Sequence, residues 1–206
     1  MSNIFKGLVG AFMAMALLVT PAAAWQSVDF TNAAFAPVTG PTSIPVGAAE
    51  FCKTYRGECG VTGSVMEAQT LTGEAWSLLI AVNDHVNLSV TAITDAELYG
   101  RDEVWTYPQG SGDCEDFALE KRRLLIANGW DSSTLMMTVV RQANGAGHAV
   151  LMVRTDRGDL VLDNQDGRIL LWNETPYMFV KRQSQADLGT WVGIDDTRPI
   201  LASAQR

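Results

Sequence analysis

The sequence has little positive charge, few histidines, few cysteines and no long apolar run after its first residues. Its 206 residues carry 15 Lys and Arg against 23 Asp and Glu, a net charge of −8. Such a surface repels phosphate backbones and anionic headgroups, so neither nucleic acid nor an anionic membrane surface is expected as a partner. No stretch after residue 24 approaches the ~20 apolar residues that span a bilayer. There is no internal repeat. The three cysteines lack the spacing and following histidines of a zinc finger.

What is present begins with residues 1–24. Lys6 gives a short positive start, Leu8 to Val19 is nearly all apolar, and Ala22-Ala23-Ala24 supplies small residues for cleavage. This is the pattern of a secretory signal peptide, so the mature chain is expected to be exported. The apolar run is too short for a membrane anchor. Residues 25–50, rich in Ala, Pro, Thr and Gly, read as an extended leader, and residues 51–206 as one folded domain.

An exported chain meets oxidising conditions. Cys52 and Cys59 enclose the short polar segment KTYRGE and are expected to form a disulfide. Cys114 is then left over, and a thiol left free in that compartment needs a reason.

Thr72 suits the N-cap of a helix through GEAWSLLIAVNDHVN, with Trp76, Leu79, Ile80, Val82 and Val86 on the apolar stripe. A second helix is expected from about Asp113 to Asn128, stopping at Gly129. Phe117, Ala118, Leu124 and Leu125 form its buried face; Glu120, Lys121, Arg122 and Arg123 form its polar one. Strand patterns follow at 135–141, 148–154 and 160–164, separated by Gly turns, with shorter strands at 179–182 and 190–194. Helices followed by an antiparallel meander make an α+β fold.

Glycines precede Cys114 and a helix follows it. The free N–H groups and positive dipole end at a helix start stabilise a thiolate, the form of cysteine that acts as nucleophile. An inert buried cysteine fits this segment equally well. His148, after the Gly-rich turn, opens a strand and could exchange a proton with the thiol near neutral pH. His85, the rival base, lies mid-helix. Asp163 on the next strand could fix the His148 tautomer, with Asn164 as fallback. Asp159 and Asp166 read as turn acids. Cys114, His148 and Asp163 thus form a candidate triad, with the Cys114 backbone N–H and one donor from Trp105–Gln109 as candidate oxyanion contacts. Trp105 itself reads as core or cleft wall.

Taken together, GDCEDFAL, GHAVLMV and LVLDN resemble the bacterial transglutaminase-like cysteine peptidases, the LapG-like periplasmic proteases. VNDHVN, YGRDEVW and KRQSQAD extend the resemblance over roughly residues 50–194. It implies a transglutaminase/papain-like core, with the nucleophile at a helix N-terminus packed on an antiparallel sheet. It also implies peptide-bond hydrolysis in a protein substrate, such as a surface adhesin, and an inner-membrane regulatory receptor. A calcium ion near the nucleophile is implied too, with Asp113, Glu115 and Asp116 at the matching positions. Three carboxylates around a thiol disfavour its ionisation, and a hard cation held by their oxygens would remove that penalty. Two alternatives stay open: protein-glutamine acyl transfer by the same triad, and a catalytically silent module of the same fold.

Overall fold

The computed structural model describes residues 34–198. The expected signal peptide and residues 25–33 of the expected leader lie outside them. In chain order the elements are β1 (Val38–Thr42), α1 (Val46–Thr54), α2 (Gly73–Ser89), β2 (Thr91–Ala92), α3 (Asp95–Tyr99), β3 (Ser111–Gly112) and α4 (Cys114–Ala127). Then come β4 (Leu135–Arg141), β5 (Gly147–Thr155), β6 (Gly158–Leu162), β7 (Leu170–Leu171), β8 (Met178–Gln183) and β9 (Trp191–Ile194).

Seven strands form one sheet in the order β1-β9-β8-β4-β5-β6-β7, antiparallel at every pairing. The meander β4 to β7 is as expected, while β8 returns to the free side of β4. Successive side chains of a strand point to opposite faces. Met137, Leu151 and Leu160 join one core with Leu79, Phe117 and Leu125 of the helices. Met136, Met152 and Val161 join a second core with Trp172 and Phe179. Both faces of the central strands are buried, which is why they read as continuous apolar runs rather than alternating ones.

Three expectations need correction. The fold begins before residue 51: β1 pairs with β9, and α1 buries Ala48 and Phe51. A segment of small residues and prolines thus gains its order from an edge strand and a packed helix, not from its own propensity. On α2, Thr72 is the N-cap, accepting from the Ala75 N–H at 3.2 Å, but Ile80 is exposed. Asn83 is buried in its place. On α4, Lys121 and Arg122 are buried rather than solvated. Arg122 finds partners in the Leu135 carbonyl at 3.2 Å and the Glu58 carboxylate at 2.8 Å. The Cys52–Cys59 disulfide is present and Cys114 is free.

Candidate active site

Cys114 is the first residue of α4, as the glycines before it suggested, and Asp113 is the N-cap. Gly112 is needed there, because a Cβ would come within 2.5 Å of Asp116 Oδ2. Helix α4 packs against β5, the strand that begins with Gly147 and His148. The Ala149 N–H of that strand donates to Cys114 Sγ at 3.4 Å. Cys114, His148 and Ala149 line one cleft of about 420 Å³, with Trp105, Val139 and Pro45 among its walls.

His148 Nε2 lies 2.8 Å from Asp163 Oδ1. Both side chains are almost fully buried. Asp163 does not sit on β6 as the sequence suggested. The ladder pairs Leu151 with Leu162, and Asp163 follows the strand's last residue, reaching back toward the start of β5. Its other oxygen, Oδ2, accepts from the Tyr177 hydroxyl, and the Gln165 N–H donates to Oδ1 at 3.1 Å. Gln165 Nε2 also lies 3.4 Å from His148 Nδ1. His85, the rival base, is exposed on α2. The fallback Asn164 has a buried amide oxygen without a hydrogen-bond partner. Asp159 is no turn acid: it is buried on β6 and paired with Arg154 at 2.8 Å. Asp166 does sit in a turn, against Arg168.

Charge is distributed unevenly here. Burial pushes the Cys114 thiol up, and the adjacent Glu115 carboxylate, which accepts its proton at 3.1 Å, adds to the shift. The Ala149 N–H acts in the opposite direction. Burial alone would raise Asp163, yet His148, Tyr177 and the Gln165 N–H hold it below the usual carboxylate range.

Beside the thiol stands an acidic cluster. Ligand atoms of Asp95, Asp113 and Asp116 lie within 4.8 Å of one another, as do those of Asp113, Cys114 and Glu115. Asp95 Oδ1, Asp113 Oδ1 and Asp116 Oδ2 are buried without a hydrogen-bond partner. Burial raises Asp116 to about 7, with Asp113 and Asp95 adding to the shift. It raises Glu115 to about 9, with Asp113 again contributing. Orphaned, crowded carboxylate oxygens are what a hard cation satisfies, so the residues fit one.

A family model described as bacterial transglutaminase-like cysteine proteinase matches residues 38–199. The chain belongs to this family. It is therefore a cysteine peptidase. No curated protein matches it. Among solved structures it is similar to LapG of Legionella pneumophila, at 29% identity over 57% of this chain and 68% of that one, with a TM-score of 0.49. The calcium-bound form of that protein matches at 26% identity over 60% and 71% of the two chains, TM-score 0.49. The EGTA-treated form matches at 28% over 59% and 72%, TM-score 0.49. Among the described residues, no helix is long and apolar enough to cross a membrane.

In this proteinase the sequence reading missed Asp95, Tyr177 and Gln165. Thr94 and Glu97 form a capping box around Asp95, so the T-D-A-E pattern could have marked that helix start. Its approach to Asp113 and Asp116 rests on β2 pairing with β3, a contact no local pattern announces. Trp105 is both core and cleft wall: its ring meets Trp191 edge-on at 6.1 Å, and its indole N–H donates to Glu103 at 3.3 Å.

Proposed function

We propose that Cys114, His148 and Asp163 are the catalytic triad of an exported, periplasmic peptidase acting on a protein substrate of the cell surface or periplasm. The observation that supports this reading is that Cys114 and His148 line one cleft, the Ala149 N–H beside His148 donates to Cys114 Sγ at 3.4 Å, and Asp163 meets His148 Nε2 at 2.8 Å. Asp163 occupies His148 Nε2, so the proton exchange falls to Nδ1, which the Gln165 amide approaches at 3.4 Å and must yield. Cys114 gives its proton to Nδ1, and Sγ attacks the scissile carbonyl carbon. The Cys114 backbone N–H, free at the helix start, faces the developing oxyanion. The C–N bond breaks as His148 protonates the leaving amine. Water, deprotonated by His148, then hydrolyses the thioester.

Asp95, Asp113 and Asp116, with Glu115 at the edge, are proposed to hold calcium. A bound cation would offset the carboxylate charge that now opposes ionisation of the thiol. The proposed substrate is a surface adhesin, whose scissile segment would enter the cleft that Cys114 and His148 line.

The test is digestion of a periplasmic and cell-surface protein fraction by the purified wild type and by Cys114→Ala, reading new N-termini by mass spectrometry. New termini that require Cys114 support the reading. Equal cleavage by both proteins refutes it. Incorporation of a labelled amine at glutamine, without new termini, would favour acyl transfer instead.

A further inference from the structure

The turn from Asp163 to Gly167 is pinned at both ends. Asn87 Nδ2 bonds the Asp163 carbonyl at 2.9 Å, and Asn83 Nδ2 bonds the Gly167 carbonyl at 3.0 Å. Between them Gln165 is exposed. Its backbone N–H donates to Asp163 Oδ1 at 3.1 Å, the oxygen that also meets His148 Nε2. Its side-chain Nε2 reaches His148 Nδ1 at 3.4 Å. One residue therefore touches both members of the pair, and its amide stands on the ring nitrogen that the proposed proton exchange uses.

The donor and acceptor roles follow from the chemistry. Asp163 is held below the usual carboxylate range, so near neutral pH it is ionised and can only accept. His148 Nε2 then carries the proton of that bond. In the neutral ring Nδ1 has a lone pair and no proton, and the Gln165 amide can donate to it. Once the ring is protonated, Nδ1 is itself a donor, and an amide N–H facing it has nothing to bond. The Cys114 thiol meanwhile gives its hydrogen bond to Glu115 Oε2 at 3.1 Å. Both partners of the exchange are thus engaged elsewhere in the resting site. Release of the ring asks only for rotation of an exposed side chain, a fast motion, because the backbone around it is tied to α2.

We propose that Gln165 is a positioning residue that works as a latch: its amide caps Nδ1 of neutral His148 in the resting site and turns away before that nitrogen takes the thiol proton. This rests on the triad reading above. The cap keeps the base neutral between turnovers, and each proton exchange must break one weak bond.

The test uses Gln165→Met, which keeps the length and loses the donor, and Gln165→Glu, which accepts instead, with Asp163→Asn as control. Both Gln165 variants keep the backbone N–H on Asp163, and an exposed side chain leaves no cavity when changed. Asp163 at Nε2, Tyr177 with its ring at 5.4 Å, and Cys114, Glu115, Glu103 and Lys181 of the cleft are the titratable groups around the ring, and both variants retain them all. The chain has two histidines, so the His148 titration can be read by NMR, with His85→Gln assigning the signals. Gln165→Met frees the Nδ1 lone pair and raises the His148 midpoint by roughly half a unit. Gln165→Glu raises it further, since a carboxylate favours the charged ring. On a peptide spanning a Cys114-dependent cleavage site, Gln165→Met raises kcat/KM by about threefold. Asp163→Asn removes an anion beside the ring and lowers the midpoint. A midpoint that falls in Asp163→Asn but stays put in both Gln165 variants overturns the latch alone. So does a fall in kcat/KM for Gln165→Met, because the amide would then assist the reaction rather than restrain it. A midpoint unmoved by Asp163→Asn overturns the triad reading beneath it.

Discussion

His148 meets Asp163 through Nε2, at 2.8 Å, and in the proposed triad this assigns Nδ1, beside the Gln165 amide, to the thiol. Asp163→Asn keeps the shape but can present an amide N–H to Nε2, favouring the wrong tautomer. The expected result is a loss in kcat of about 100-fold or more, with KM nearly unchanged. Steady-state kinetics on a substrate peptide checks this, and an Asn variant within about twofold of wild type would exclude Asp163 from the mechanism.

Tyr177 donates to the other Asp163 oxygen, and its ring stands 5.4 Å from that of His148. Tyr177→Phe removes one donor from a buried carboxylate, a bond worth roughly 1.5–3 kcal/mol. Asp163 is depressed below its unfolded value by His148, Tyr177 and the Gln165 N–H, against the upward push of burial. Its contribution to stability is thus present above the ordinary carboxylate range and is lost as pH falls through its folded pKa. Removing Tyr177's hydroxyl shifts that loss to higher pH. Urea titrations between pH 3 and pH 7 should show the variant losing stability at a less acid pH than wild type. Coincident curves would mean that the hydroxyl does not hold the carboxylate.

The acidic cluster makes the opposite prediction. Asp116 and Glu115 are raised in the fold, to about 7 and about 9, so without a cation they resist ionising. Their contribution is full below the unfolded carboxylate pKa and is lost as pH rises toward those folded values. Chelated protein should therefore be less stable at pH 8 than at pH 5, and added calcium should restore more stability at the higher pH. Thiol alkylation by iodoacetamide should also speed up with calcium. Asp95→Asn should weaken both effects. A calcium response in Tm that is the same at both pH values would argue against carboxylate ligation.

Much of this site was legible along the chain because its parts are local. Glycines before Cys114 and an amphipathic pattern after it mark a helix start, and the Gly turn before His148 marks a strand start. Residues whose role depends on tertiary neighbours were hidden. Lys121 and Arg122 look like ordinary helix-surface cations until α2 and β4 cover them. Asp159 sits beside a glycine and looks like a turn acid until the N-terminal segment crosses it. Tyr177 lies in a connection whose path nothing nearby fixes. The small-residue segment before Phe51 gave no periodic signal, because β1 takes its order from β9, far along the chain.

That N-terminal segment offers a final test. Asp159 is fully buried, and three contacts converge on it: Arg154 Nε and Nη2, each at 2.8 Å, and the Ala36 N–H, also at 2.8 Å. The Asp159 N–H in turn bonds the Ala34 carbonyl at 2.8 Å. One carboxylate therefore ties the chain ahead of β1 to β6, next to the edge of the sheet and far along the chain from Cys114. Asp159→Asn leaves the Arg154 guanidinium without its charged partner and weakens the grip on Ala36. Breaking such a pair from one side costs about 3 kcal/mol. The variant should show that loss in urea unfolding, together with earlier proteolytic clipping ahead of residue 46. Its Cys114 alkylation rate should match wild type below the unfolding transition. If the thiol slows while stability holds, the segment is coupled to the active site, and Asp159 is more than a structural tie.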